Sequence, residues 1–142
     1  MKELVILGAG TAGTMMANHL SKELDDKLWK ITIIDKEERH YYQPGFLFIP
    51  FGIYKPDDVV KPIEKFIPKG VKLIKTVVEK IDHENDTVIL SDGVKVDYDL
   101  LIVATGSRLA PQEIEGMKGS EWQHSIFDFY TFEGSVNLRK KL

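Results

Sequence analysis

Hydrophobic residues along this chain fall into short solid runs, one stretch at helical spacing and a set of alternating segments. Leu4-Val5-Ile6-Leu7 is an unbroken apolar run that stops at Gly8, so residues 3–7 predict a strand buried on both faces. From Thr14 to Leu24 the apolar residues Met15, Met16, Ala17 and Leu20 recur at helical spacing, and Met15 and Met16 read as helix core. Trp29-Lys30-Ile31-Thr32-Ile33-Ile34 is rich in β-formers and ends at Asp35. Strand, helix and strand in this order make a βαβ unit.

Residues 37–56 read as irregular, punctuated by Pro44, Gly45, Pro50, Gly52 and Pro56. Asp57 or Asp58 is placed to cap a short helix through Phe66, which Pro62 limits. Val71–Ile74 reads as another buried strand. Three short segments follow as a meander: Val77–Ile81, Thr87–Leu90 after the polar turn His83–Asp86, and Val94–Tyr98 after the turn signal Asp92-Gly93. Leu100–Ala104 is wholly apolar and ends at Thr105-Gly106, the pattern of a second central parallel strand. A last helix is expected from about Thr131 onward. The fold class is therefore α/β: a parallel sheet carrying a three-stranded antiparallel meander.

Composition narrows the function classes. The 142 residues fit one core, and 43% hydrophobic with 29% charged content is that of a globular chain. A net charge of -3 gives no positive field for phosphate backbones, so no nucleic-acid partner is expected. Arg139-Lys140-Lys141 reads as a solvated helix end. There is no cysteine, hence no disulfide, thiolate metal site or thiol redox centre in this stretch. His19, His40, His83 and His124 lack metal-ligand spacing and receive no role. The first apolar run is too short for a signal peptide or a membrane span, so cytoplasmic is the default expectation, and Asn85-Asp86-Thr87 reads as a turn.

Gly8-Ala9-Gly10-Thr11-Ala12-Gly13 fits G-x-G-x-x-G. The first glycine permits the tight turn off the strand, the second admits a pyrophosphate to the backbone, and the third lets the helix pack closely. Unpaired amides and the helix dipole then favour the anion. Three glycines alone are weak evidence. Their position between a strand and a helix strengthens them, as does Asp35, about 20 residues further on at the end of the next strand. Asp35 alone reads as a solvated strand end, whereas with the fingerprint upstream it reads as an acceptor for ribose hydroxyls.

The fingerprint, Asp35-Lys36, and the meander running into Tyr98-Asp99-Leu100-Leu101-Ile102-Val103-Ala104-Thr105-Gly106-Ser107 together resemble the pyridine nucleotide–disulfide oxidoreductase superfamily. That resemblance implies a Rossmann-like FAD-binding domain. It implies cofactor contacts at Gly8, Gly10, Thr11, Ala12, Gly13, Asp35, Lys36 and Pro44, with the backbone of Val78 at the adenine and Ala104-Thr105-Gly106 beside the FAD. Within the superfamily, His40-Tyr41-Tyr42-Gln43-Pro44-Gly45-Phe46-Leu47-Phe48-Ile49-Pro50-Phe51-Gly52 is similar to the aromatic and proline-rich loop of sulfide:quinone oxidoreductases. Type II NADH:quinone oxidoreductases share most of these features. The six aromatics Tyr41, Tyr42, Phe46, Phe48, Phe51 and Tyr54 must bury against something: satellite core, or a wall along a flavin with an apolar approach for quinone.

Two departures qualify the resemblance. One cysteine of the sulfide enzymes falls at Phe127, which has no nucleophile, so no catalytic residue is assigned here. The second is length. Residues 1–130 are expected to form the FAD-binding segment and 131–142 the start of a helix leading to a second domain. A truncated fragment of this kind exposes sheet edges and apolar surface and would tend to form a homodimer. The parent's expected partners are quinone and sulfide, or NADH, with peripheral membrane contact through regions outside this stretch. The alternatives are a type II NADH:quinone oxidoreductase and a non-catalytic dinucleotide-binding module.

Overall fold

The computed structural model describes residues 1–142. They form two compact units: Met1–His40 with Pro62–Gly106, and Tyr41–Lys61 with Ser107–Leu142.

The first unit is built on strand β1 (Lys2–Leu7), helix α1 (Thr11–Glu23) and strand β2 (Trp29–Asp35). Strands β3 (Arg39–Tyr41) and β4 (Val60–Pro62) form a two-stranded sheet of their own. They are followed by β5 (Lys72–Lys75), the meander β6 (Val78–Asp82), β7 (Thr87–Leu90) and β8 (Lys95–Asp97), and finally β9 (Leu100–Val103). The main sheet has the order β5-β2-β1-β9, and every pair in it is parallel. The expected α/β class, with its parallel sheet and three-stranded antiparallel meander, is what the chain adopts.

The solid apolar run of β1 has a simple cause. Leu4 and Ile6 pack with Ala17 of α1 and with Ile31 and Ile33 of β2, while Val5 and Leu7 pack with Ile34 and with Val88 and Leu90 of β7. The strand is covered by α1 on one face and by the meander on the other, so neither side calls for polar residues. Each such Leu, Ile or Val, removed from water, contributes about 1.5–3 kcal/mol. β9 is fastened to β1 at its start, where the Glu3 amide donates to Asp99 Oδ2 at 2.6 Å and the Asp99 amide donates to the Glu3 carbonyl at 2.9 Å.

Several local expectations are corrected. Helix α1 begins at Thr11 rather than Thr14, because Gly10 already serves as its N-cap. Met15 is 66% exposed, whereas Met16 and Leu20 pack on the core. One residue of offset turns a side chain by about 100° on a helix, enough to carry Met15 off the buried stripe. No single helix runs from Asp57 to Phe66. The chain makes two 3-10 turns, Pro56–Val59 and Ile63–Phe66, with β4 between them. Asp58 does cap, its Oδ2 accepting the Lys55 amide at 2.8 Å, but Val60 is extended and Pro62 cannot donate into a helical ladder.

In the second unit Phe46, Ile49 and Val59 are buried together with Tyr41, Phe132 and Val136 against them. The helix α2 (Phe132–Lys141) starts where Thr131 Oγ1 accepts the Gly134 amide at 2.9 Å. Its Arg139 Nη1 donates to the carbonyls of Ile49 and Tyr54, at 3.4 and 2.9 Å, and so ties the proline-broken loop. The expectation that all six aromatics bury is corrected. Phe46 is buried, whereas Tyr42 is 56% and Phe51 67% exposed.

Candidate functional site

The site is made by the ends of strands. β1, β2 and β9 run parallel, so their carboxyl ends lie together, and the chain leaves β1 for β2 on one side and returns as β9 on the other. Ligands of open α/β sheets bind in the crevice at such a reversal of strand order. Here a cleft of about 300 Å³ is lined by Leu7, Gly8, Ile34, Asp35, Lys36, Thr76, Val77, Val78 and Thr105.

The three glycines do different work. Gly8 has φ +93°, a left-handed value that a side chain resists, and a Cβ there would also meet the Ala104 carbonyl group. At Gly13 a Cβ would run into the Gly8 carbonyl oxygen, so this glycine sets how closely α1 approaches the turn. Gly10 has no protein atom within 4 Å of an added Cβ. Nothing in the fold requires a glycine there, and the open space beside it is on the path an anion would take to the backbone. Helix α1 has no side-chain cap at Gly10 and no acid in its first turn. Its first amides and the positive end of its dipole are thus left for an outside acceptor. These features fit the pyrophosphate of a dinucleotide.

Asp35 ends β2 beside this turn. Its Oδ2 accepts the Ala9 amide at 2.6 Å and its Oδ1 accepts the Glu37 amide at 2.9 Å. Each carboxylate oxygen retains a second lone pair, so the group can hold the glycine turn and still accept a hydroxyl hydrogen. Lys36 lines the same cleft, with its ammonium exposed and 3.9 Å from Glu37 Oε1. Val78 opens β6 and reaches the cleft from the meander.

Of the residues expected from sequence, Gly8, Asp35, Lys36, Val78 and Thr105 line the cleft. Gly10 with Thr11, Ala12 and Gly13 forms the adjoining N-cap and first turn of α1. Ala104, which the Gly8 turn abuts, is tied to β1 through its amide to the Leu7 carbonyl at 2.8 Å, and Gly106 follows Thr105 with φ +72°. Pro44 lies in the second unit, where it lines an open apolar groove of about 570 Å³ with Gln43, Leu47, Phe48, Phe129 and Tyr130. In the same unit Ser107 Oγ and the Tyr130 hydroxyl are 2.7 Å apart, and this bond lowers the Tyr130 pKa below the ordinary phenol value.

Sequence reasoning misses three contributors. Thr76 and Val77 line the cleft as the link between β5 and β6, with nothing in their residue types to mark them. His40 has no role by its spacing, yet its Nδ1 is 3.2 Å from the Ala9 carbonyl oxygen and its ring stacks on Phe66 at 4.1 Å.

Residues 2–141 match the family model described as pyridine nucleotide-disulphide oxidoreductase. The chain is 32% identical over 131 residues to the mitochondrial sulfide:quinone oxidoreductase of Dictyostelium discoideum, covering 92% of this chain and 29% of that protein. It is 33% identical over 123 residues to the type II NADH:quinone oxidoreductase of Staphylococcus aureus, covering 86% of this chain and 30% of that protein. The crystal structure of the sulfide:quinone oxidoreductase from Aquifex aeolicus superposes with a TM-score of 0.80 at 28% identity, over 99% of this chain and 31% of that one. The chain thus spans about 30% of the length of these relatives. The resemblance to sulfide:quinone oxidoreductases drawn from the sequence is borne out. By the glycine turn, the meander and a match along nearly its whole length, this chain belongs to the pyridine nucleotide-disulphide oxidoreductase family, whose cofactor is FAD.

Proposed function

We propose that this chain is the FAD-binding portion of a flavoprotein oxidoreductase that passes electrons from sulfide, through FAD, to a quinone. The observation that carries the reading is the cleft at the ends of β1, β2 and β9, with an uncapped helix and an open Gly10 on one side and Asp35 on the other. The first amides of α1 would hold the pyrophosphate, and the Asp35 carboxylate would accept hydrogen bonds from the ribose. The Val78 backbone would meet the adenine. Thr105 and Gly106 would run beside the cofactor, with Lys36 at the rim and Pro44 on the apolar groove. When bound, the isoalloxazine supplies the two-electron chemistry, and the protein's task is to orient it and exclude competing reactions.

By the resemblance, Phe127 stands where one cysteine of the sulfide enzymes falls, so the reading assigns no sulfur nucleophile within these residues. The reading therefore assigns the sulfide-specific step to none of these residues. A second reading, electron donation by NADH, is favoured by the type II relative at 33% identity. Quinone as acceptor implies a place at the membrane surface, and no helix of this chain is long and apolar enough to cross a membrane. The test is anaerobic mixing of the FAD-loaded full-length protein with sulfide or with NADH, followed by added quinone. Bleaching of the visible flavin band by sulfide and its return with quinone is expected. Bleaching by NADH alone would replace the first reading with the second.

A further inference from the structure

Ala9 sits between two held peptide planes. Its amide, in the Gly8–Ala9 peptide, donates to Asp35 Oδ2 at 2.6 Å. Its carbonyl, in the Ala9–Gly10 peptide, lies 3.2 Å from His40 Nδ1. With its hydrogen on Nδ1, the imidazole donates to that carbonyl, and the ring is steadied by its stack on Phe66 at 4.1 Å and 28°. A trans peptide is planar, so its C=O and N–H point in opposite directions. A donor that holds the Ala9 carbonyl therefore also directs the Gly10 N–H away from His40. Gly10 is the one glycine of the turn with no protein atom within 4 Å of an added Cβ.

We propose that His40 is a positioning residue for the cofactor's pyrophosphate: by donating from Nδ1 to the Ala9 carbonyl it aims the Gly10 amide at the anion. The bond also polarises the shared peptide, which makes the Gly10 N–H a stronger donor. Asp35 fixes the preceding peptide, and the two side chains together leave the turn little freedom to lose when the anion arrives. The inference rests on the reading of the Gly8–Gly13 turn as the FAD site.

The experiment separates the hydrogen bond from the ring. FAD binding is measured by reconstitution of the full-length apoprotein, with ADP and adenosine as competitors. His40→Phe keeps a ring for Phe66 and removes the donor, whereas His40→Asn places an amide nitrogen near the Nδ1 position and removes the ring. Loss of one neutral hydrogen bond that holds the donor in place corresponds to about 5- to 10-fold in Kd. His40→Phe is expected to weaken FAD and ADP by that factor and leave adenosine unchanged, and His40→Asn to recover FAD binding to within about two-fold of the parent. Unchanged FAD binding in His40→Phe, an equal loss for adenosine, or no recovery in His40→Asn overturns the proposal. His40→Leu replaces His40→Phe if the latter does not fold. Gly10→Val is the control for the underlying reading: if it binds FAD as the parent does, the turn is not the pyrophosphate site and the role of His40 falls with it.

Discussion

Gly10 and Gly13 belong to one motif, yet the structure separates their roles sharply enough for paired substitutions to be decisive. In Gly13→Ala the new methyl group meets the Gly8 carbonyl oxygen, a backbone atom that cannot rotate aside. Alanine gains about 1 kcal/mol of helix propensity over glycine, but displacing α1 from the turn is an overpacking cost of about 1–3 kcal/mol or more. The collision wins. In Gly10→Ala the methyl group meets no protein atom within 4 Å. The fold then loses only the difference between glycine and alanine at an N-cap, about 0.5 kcal/mol. The same methyl group stands where the anion must approach. Losing one charge-assisted amide contact to it costs about 1.5–3 kcal/mol, or roughly 10- to 150-fold in Kd. Thermal unfolding of the full-length apoprotein, with and without FAD, reads both quantities. Gly13→Ala should lower the apoprotein midpoint, while Gly10→Ala should leave it nearly unchanged and abolish most of the upward shift that FAD produces. If Gly10→Ala retains the full shift, or Gly13→Ala melts like the parent, the assignment of these two positions is wrong.

Asp35→Asn leaves one acceptor oxygen where two amides now donate, at 2.6 and 2.9 Å, so FAD affinity should fall about 10-fold, as measured by reconstitution; unchanged affinity would contradict the role given to the carboxylate. Thr131→Ala removes the cap of α2 and should cost about 1 kcal/mol in urea unfolding, with Thr131→Ser restoring it. Glu64 is held below the ordinary carboxylate range chiefly by its hydrogen bond from Lys75. A carboxyl with a lowered pKa in the folded state stabilises above its unfolded pKa, and that contribution is lost as pH falls through the lowered value. Glu64→Gln should therefore trim stability slightly at neutral pH and not in acid, the exposed pair being well screened, and a difference independent of pH would refute the link.

The sheet was legible because β1 is buried on both faces, and an unbroken apolar run that ends at glycine suits a covered parallel strand. β2 showed through its β-formers ending at Asp35, whereas the apolar run of β9 reads as central although it lies at the sheet edge with Leu100 and Val103 exposed. The meander was legible because Asp92-Gly93 and His83–Asp86 are strong turn signals between alternating segments. What failed was set by geometry that no residue type announces. Met15 lies one position off the buried stripe of α1, and within the 3-10 turn Gln43–Phe48 the chain turns Phe46 inward while Phe48 stays partly exposed. In the site, the glycines and Asp35 announce themselves by spacing. His40 does not, because its partner is a backbone carbonyl 31 residues away, and backbone groups carry no sequence signature.

The contact between the Gly8 turn and Ala104 bears on the order of events during synthesis. The glycine turn is translated almost first, but one wall of it is the backbone that ends β9, and β9 reaches β1 across a separation of 96 residues at the Glu3–Asp99 pair. A nascent chain that has emerged only through β5 can close the βαβ unit and still lack that wall. On the proposed reading of the turn, capture of the nucleotide would wait for residues beyond 104, and cofactor loading would mark completion of the sheet rather than start it.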